Sequence, residues 1–471
     1  MLRTASAILV GLVFCSQLAW VQVTTGTISG VVKDESGAVV PGVTVAARNL
    51  DTGMAREVAT DAQGRYRAPN LPLGNYEVQA AISGFQTAVR SGITLRVGQE
   101  AVVDFVLEVG AVEQTIEVTA EAPLVNTTSG SLGGLVDEQR MAELPLNGRN
   151  YIDLTLLQTG VTQQKGVGSS AGMTGVYVSS SGAPVRSNNF LLDGAIMQNM
   201  FSANASSITG SSLGVEGIRE YRVVTNSFSA EYGMTMGSQM IVVSKGGTNE
   251  FHGSLFGYLR NSALDARNFF DRITPATPRR LPAFTRNNFG AAFGGPIRKD
   301  KTFFHVVYEG LRERLGRTII ADTIPASAKV DGGLVPQIAP VVKPLLALWP
   351  EPNLPNNQFT FPFSQPTDEN YGQIRADHTF SNDDSLFGRY TIHDAKQVAP
   401  ANFGKFWQNN LESRDQWATF SESHIFSPTL LNAFRFSFSR TRNAQTSESP
   451  EIGPELSLVS GREFGSIGIG V

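Results

Sequence analysis

The chain has 471 residues, with 38 Lys+Arg against 42 Asp+Glu and a formal net charge of −4. Without a basic excess there is no electrostatic footprint for nucleic acid, so that class of partner is excluded. Hydrophobic residues at 41% argue against wholesale disorder, and the single cysteine, Cys15, leaves no basis for a disulfide framework or a cysteine-based zinc site.

Residues 1–22 read as a secretory signal. Arg3 supplies the positive start, and the run from Ala7 to Phe14 supplies a short apolar core. The alternative, a membrane anchor, needs about 20 apolar residues, more than this run provides. Further on, the most apolar stretch, around residues 335–352, is interrupted by Pro340, Lys343, Pro344 and Pro350. An exported chain of this kind has only strands with which to enter a membrane.

Three composition zones follow. In residues 25–107, short runs rich in Val, Ile, Thr and Tyr alternate with turns every ten or so residues, which predicts a small antiparallel β-sandwich. Strands are expected at residues 27–32, 43–47, 65–67 and 76–80, with turns at Asp34-Glu35-Ser36-Gly37 and Asp61-Ala62-Gln63-Gly64. Residues 113–249 are rich in Gly, Ser and Asn. There, residues 136–144 and 150–157 predict short helices, the first stopped by Pro145, and residues 218–224 and 240–244 predict strands.

From residue 251 onward the rhythm becomes period two. Phe434, Phe436 and Phe438 share one face of a strand. Gln373, Arg375 and Asp377 lie opposite Ile374, Ala376 and Phe380, and Arg389, Thr391 and His393 lie opposite Leu386, Gly388, Tyr390 and Ile392. An ordinary soluble antiparallel sheet alternates in the same way. The connections favour a membrane barrel. Tight polar turns at Arg298-Lys299-Asp300, Ser381-Asn382-Asp383-Asp384 and Ser427-Pro428-Thr429 alternate with long connectors at residues 261–286, 312–370 and 394–414.

Residues 25–107 resemble the regulatory-like domain found beside metallocarboxypeptidases, a prealbumin-like sandwich. The resemblance is carried by Gly30-Val31-Val32, Pro41-Gly42-Val43-Thr44-Val45, Thr60-Asp61-Ala62-Gln63-Gly64-Arg65-Tyr66 and Leu73-Gly74-Asn75-Tyr76. That domain class is grouped with carbohydrate-binding-like folds, but no aromatic platform for a sugar is visible here.

The order sandwich, Gly-rich globule, barrel strands resembles a TonB-dependent outer-membrane receptor of the Oar-like branch. Glu113-Gln114-Thr115-Ile116-Glu117-Val118-Thr119-Ala120 looks like a TonB box, an extended segment able to add to a partner's sheet edge; the alternative is the last strand of the sandwich. Plug-like motifs follow at Leu144-Pro145-Leu146-Asn147-Gly148-Arg149-Asn150-Tyr151, Asn189-Phe190-Leu191-Leu192-Asp193-Gly194, Gly217-Ile218-Arg219-Glu220-Tyr221-Arg222-Val223 and Ser229-Ala230-Glu231-Tyr232-Gly233, and Ile241-Val242-Val243-Ser244-Lys245-Gly246-Gly247-Thr248-Asn249 resembles the strand leading into the barrel.

The fold expected is therefore mainly β: a sandwich at 25–107, an α/β plug at 121–249, and the first part of an antiparallel outer-membrane barrel at 250–471. About seven strands fall in the last zone, against about 22 in plugged transporters. No aromatic residue closes Ile467-Gly468-Ile469-Gly470-Val471, so an N-terminal fragment of a longer protein is expected.

The resemblance implies active import of a bulky ligand (siderophore, oligosaccharide or peptide) across the outer membrane. A TonB-type energy-transducing protein and outer-membrane lipid would be the partners, with no cofactor. An adhesion or surface-assembly protein anchored by the barrel is the alternative. Enzymatic chemistry has little support. His252, His305, His378, His393 and His424 form no zincin motif, and they are expected to be wet or interfacial. The two Gly-x-Ser-x-Gly matches, at residues 168–172 and 210–214, lie in Gly/Ser-rich loop rather than in a strand–helix elbow.

Overall fold

Alternating side chains build three successive β systems. The computed structural model describes residues 24–110, 115–119, 132–144, 146–164, 177–197, 207–208, 213–226, 232–233, 235–266, 283–340, 342–400, 408–427 and 430–448. The signal call at 1–22, with Cys15, and the Gly-x-Ser-x-Gly match at 168–172 lie outside them, as does most of the second match.

The first system contains β1 (Gly26–Asp34), β2 (Thr44–Asn49), β3 (Ala55–Ala59), β4 (Arg65–Leu71), β5 (Gly74–Ala81), β6 (Thr87–Leu95), β7 (Glu100–Val102), β8 (Phe105–Leu107) and β9 (Thr115–Thr119). One sheet has the order β4-β1-β7, with β8 also on β1, and the other has the order β3-β2-β5-β6-β9. Strand β1 alternates buried and half-buried positions, so Ile28 and Val32 face Val45, Tyr66, Val78 and Phe105 in a shared core. The predicted turn at Asp61 forms as read: the Asp61 carboxylate accepts from the Gln63 and Arg65 amides, and Gly64 takes φ +69°.

The sandwich is mixed rather than wholly antiparallel. After β6 the chain crosses back to the first sheet and runs beside β1 in the same direction, pairing Thr27–Ser29 with Glu100–Val102 and Val32–Asp34 with Phe105–Leu107. Strand β9 also pairs parallel, with Thr87 of β6 opposite Thr115 and Ser91 opposite Thr119.

The middle system contains β10 (Leu132–Asp137), α1 (Glu138–Glu143), β11 (Val161–Gln163), β12 (Val178–Ser180), β13 (Asn189–Leu192), β14 (Ala195–Ile196), β15 (Ile218–Asn226) and β16 (Gln239–Ser244). Five of these strands form a sheet with the order β10-β15-β16-β13-β14, and β11 pairs β12. The helix predicted at 136–144 starts later, because residues 132–137 are taken up pairing with β15; Asp137 caps it by accepting from the Arg140 amide. The second predicted helix is a 3-10 helix, Tyr151–Leu157, capped by Asn150.

The third system is one seven-stranded antiparallel sheet in chain order: β17 (His252–Asn261), β18 (Phe284–Arg298), β19 (Thr302–Asp322), β20 (Gln358–Ser381), β21 (Asp384–Pro400), β22 (Gln408–Ser427) and β23 (Leu430–Glu448). The predicted long connectors are shorter than expected, since β19 and β20 stay paired as far as Asp322 opposite Gln358. The ladder needs only backbone groups, so it continues past the apolar band that the sequence pattern detects.

The faces fall as predicted. Phe434, Phe436, Phe438, Ile374 and Phe380 are exposed on the outer side, whereas Gln373, Arg389, Thr391 and His393 are buried on the opposite side. His305 and His393 are buried, not wet. Among the described residues no helix is long and apolar enough to cross a membrane.

Candidate functional site

The seam between the middle system and the strand wall holds the densest set of buried charges. It begins with a turn dictated locally. Strands β13 and β14 are joined by Asp193-Gly194, which take φ 50° and 79°, the two positive values a tight hairpin of this kind requires. A Cβ at 194 would also meet the Arg435 guanidinium, with Cζ 2.8 Å away, and the arginine tip would have to shift.

The turn aims the Asp193 carboxylate into the wall. It accepts from the Ser244 amide at 2.9 Å, the Ser244 hydroxyl at 2.8 Å and Arg389 Nε at 2.6 Å, with Arg375 Nη1 at 3.8 Å. Arg389 also donates to Thr391 Oγ1 at 2.8 Å and Thr419 Oγ1 at 2.6 Å, so each of its three nitrogens has a partner. Arg375 bonds Asp377 at 2.7 Å and the Ser244 carbonyl at 3.1 Å, and lies 4.3 Å over the Phe387 ring. Burial alone would push the Asp193 carboxyl up, but Arg389, Arg375 and the Ser244 donors outweigh it and hold the group below the ordinary carboxylate range.

A second cluster is built on Asn147-Gly148-Arg149-Asn150. Gly148 and Arg149 take φ 74° and 57°, which reverses the chain before Asn150 caps the Tyr151–Leu157 turn. Arg149 then lies 2.7 Å from Glu216 and 3.7 Å from Glu309 of β19, with its guanidinium 3.9 Å over the Phe256 ring of β17. The Glu216 carboxyl is raised by burial but lowered further by Ser254, Lys245 and Arg149, and ends below its ordinary value. Glu309 Oε1 accepts from the Glu216 amide at 2.9 Å, and Gln373 donates to the Gly217 carbonyl at 3.0 Å. Trp417, Tyr371, Val307 and Ala292 of the wall complete the seam by joining Tyr151, Leu213 and Val215 in one apolar cluster.

The motif residues singled out in the sequence therefore fall in three places. Leu192, Asp193 and Gly194 form the first cluster, and Gly148, Arg149 and Asn150 with the backbone of Asn147 form the second. Tyr232 packs on the opposite face of the middle sheet, near Leu73 and Val97, and the neighbouring Gly233 accepts from Gln239 through its carbonyl. Glu231, Glu113, Gln114 and Ala120 lie outside the described residues, and Thr115, Ile116, Glu117, Val118 and Thr119 are the strand β9.

The wall arginines were not singled out as partners of Asp193. The available signal was their place: Arg375 and Arg389 alternate onto the face opposite the apolar one, where a charge must find a partner.

Residues 27–108 match the carboxypeptidase regulatory-like domain, and residues 243–466 match the outer membrane beta barrel domain. The TonB-dependent transporter Oar of Myxococcus xanthus is 29% identical over 295 residues, covering 59% of this chain and 26% of that protein. The chain thus spans about a quarter of the length of the curated relative it matches. Among solved structures, the outer membrane transporter YddB from Escherichia coli aligns with TM-score 0.46 and 12% identity over 67% of this chain and 39% of its own. The siderophore receptor PirA from Acinetobacter baumannii aligns with TM-score 0.38 and 13% identity over 69% and 46%. The chain thus carries a carboxypeptidase regulatory-like domain followed by an outer membrane beta barrel domain, and over 59% of its length it is similar to a TonB-dependent transporter.

Proposed function

We propose that the protein carries out TonB-dependent active uptake of a bulky ligand across the outer membrane, with residues 121–249 as a plug that gates the lumen of the barrel. The working division is a signal at 1–22, a sandwich at 25–107, a TonB box at 113–120, the plug, and the barrel from 250. The observation that carries this reading is the seam. Asp193 and Arg149 tie the middle system to the wall through a charge-assisted hydrogen bond with Arg389 and longer ion pairs with Arg375 and Glu309. Such bonds re-form with water when they are pulled apart, so a plug held by them can be remodelled without first exposing a large apolar core.

In this reading, ligand binds at the outer side and an energy-transducing partner engages residues 113–120. Its pull transmits the inner-membrane proton gradient to the plug, and the Asp193 and Arg149 contacts yield. Siderophore, oligosaccharide and peptide all remain candidate cargoes. The test compares uptake of labelled ferric siderophores and oligosaccharides by cells expressing the protein with and without residues 113–120. Loss of uptake with surface binding retained is the expected result, and unchanged uptake rejects the mechanism.

A further inference from the structure

The middle sheet has two apolar faces. One packs on the wall through Trp417 and Tyr371, and the other carries Leu191, Val224, Ile241 and Val243. That second face is covered by the sandwich, which contributes Leu73 and Val97.

A charged socket sits beside the apolar contact. Glu220 of β15 is 1% exposed, and its carboxylate accepts from the Val97 amide at 2.5 Å and from Arg96 Nη1 at 3.1 Å. Two residues on, Arg222 donates to the Gly98 carbonyl at 2.7 Å. Gly98 takes φ +62°, and a Cβ there would lie 3.1 Å from Arg222 Nη1, so the loop fits its socket closely.

The sandwich also grips the wall and the passage into it. The Asn70 side chain donates to Ser423 at 2.8 Å, and Arg435 donates to the Thr24 hydroxyl at 3.1 Å. Asn249, just before β17, donates its amide to the Asp51 carbonyl at 2.8 Å, and its side-chain carbonyl accepts from the amide of Asp300, in a short turn of the wall, at 2.8 Å. These contacts lie toward the end of the wall where the short turns are, the end that faces the periplasm in outer-membrane barrels.

We propose that the regulatory-like sandwich is a latch, docked across plug and barrel rim at rest and required to come off before the plug can move. This rests on the transport reading above. Because the sandwich holds plug and rim at once, the plug has no free path on this side while the sandwich is seated. Strand β9 belongs to the sandwich sheet, so a pull on residues 115–119 loads the sandwich before it reaches β10, the first described strand of the plug. Glu220 supports an engaged rest state, since a carboxylate this deeply buried is tolerable only with its partners in place.

The test uses the whole protein in the outer membranes of cells, in a Cys15→Ser background. Val97→Cys places one thiol at the buried seam, and Ala38→Cys places one on an exposed sandwich turn as the control. A small maleimide that crosses the outer membrane reports exposure, and the amount of each variant in the membrane is measured alongside.

In protonophore-treated cells the Val97→Cys thiol is expected to label at least tenfold more slowly than the control. Adding Glu220→Ala with Arg222→Ala is expected to bring the two rates together, and energised cells are expected to label Val97→Cys several-fold faster than treated ones. Equal labelling of the two sites in treated cells overturns the docking. Equal labelling of Val97→Cys with and without energy overturns the release. If uptake in the same cells still needs residues 113–120, the transport reading stands while the latch falls. Labelling that rises with energisation upholds the latch whatever the uptake probes show.

Discussion

In the sandwich, Ile28, Val32, Val78 and Phe105 are at most 2% exposed and touch mainly one another, so the domain has a core of its own. At the seam, the comparably buried groups include Asp193, Arg389 and Gln373, and each finds at least one partner across the boundary between the middle system and the wall. The first arrangement is cohesive and indifferent to its surroundings. The second is specific: it holds only while two separate bodies keep their register, and it fails sharply when a partner is missing.

The sharpest way to break that contrast is Asp193→Ala. It leaves Arg389 and Arg375 buried without their shared carboxylate, and losing one member of such a pair costs about 3–5 kcal/mol. The expected result is rapid protease cleavage within the plug while the sandwich stays resistant, followed by limited proteolysis of the protein in detergent. If plug and sandwich kept equal resistance, the seam would not be the weak joint described.

The reciprocal change, Ile28→Ala, removes apolar volume from the sandwich core and is expected to cost about 2–5 kcal/mol. Hydrogen exchange should rise in β1, β2 and β5 and stay unchanged around Asp193. Exchange spreading equally into β13 and β16 would show that the two regions are one cooperative unit.

Acid gives the mildest test. The Asp193 and Glu216 carboxyls are both held below their ordinary values of 3.8 and 4.5, so their contribution is complete above those values and is lost as pH falls through the lower folded ones. No loosening of the seam is expected between pH 7 and pH 5, with onset below about pH 4. Protease sensitivity of the plug across this range is the measurement. A transition near pH 6 would show that groups other than Asp193 and Glu216 set the acid limit.

The sequence disclosed what local rules govern. The Asp193-Gly194 turn follows from two residues that accept positive φ, and the faces of β20, β21 and β23 follow from period-two alternation. It concealed what distance governs. Asp193 and Arg389 are 196 positions apart, and no local pattern pairs them. The outer halves of β19 and β20 were hidden because residues such as Arg312, Arg314 and Asp368 lack an apolar face, although their backbones pair without interruption. The parallel return of β7 and β8 onto β1 was hidden because strand direction leaves no mark on side-chain periodicity.

The passage from plug to wall has a mechanical consequence. At Gly247 a Cβ would lie 2.5 Å from the Phe304 carbonyl and 2.9 Å from that of Gly295, so the chain is pinned against the wall where it leaves the central strand β16. Strand β10, by contrast, is the outermost strand of the middle sheet and among the described strands pairs only with β15, with Leu132 opposite Asn226 at the end where the chain enters. Tension arriving from upstream therefore unzips β10 one rung at a time, whereas β16 would have to shear along its whole length. The middle sheet is thus held more firmly where the chain leaves it than where the chain enters it.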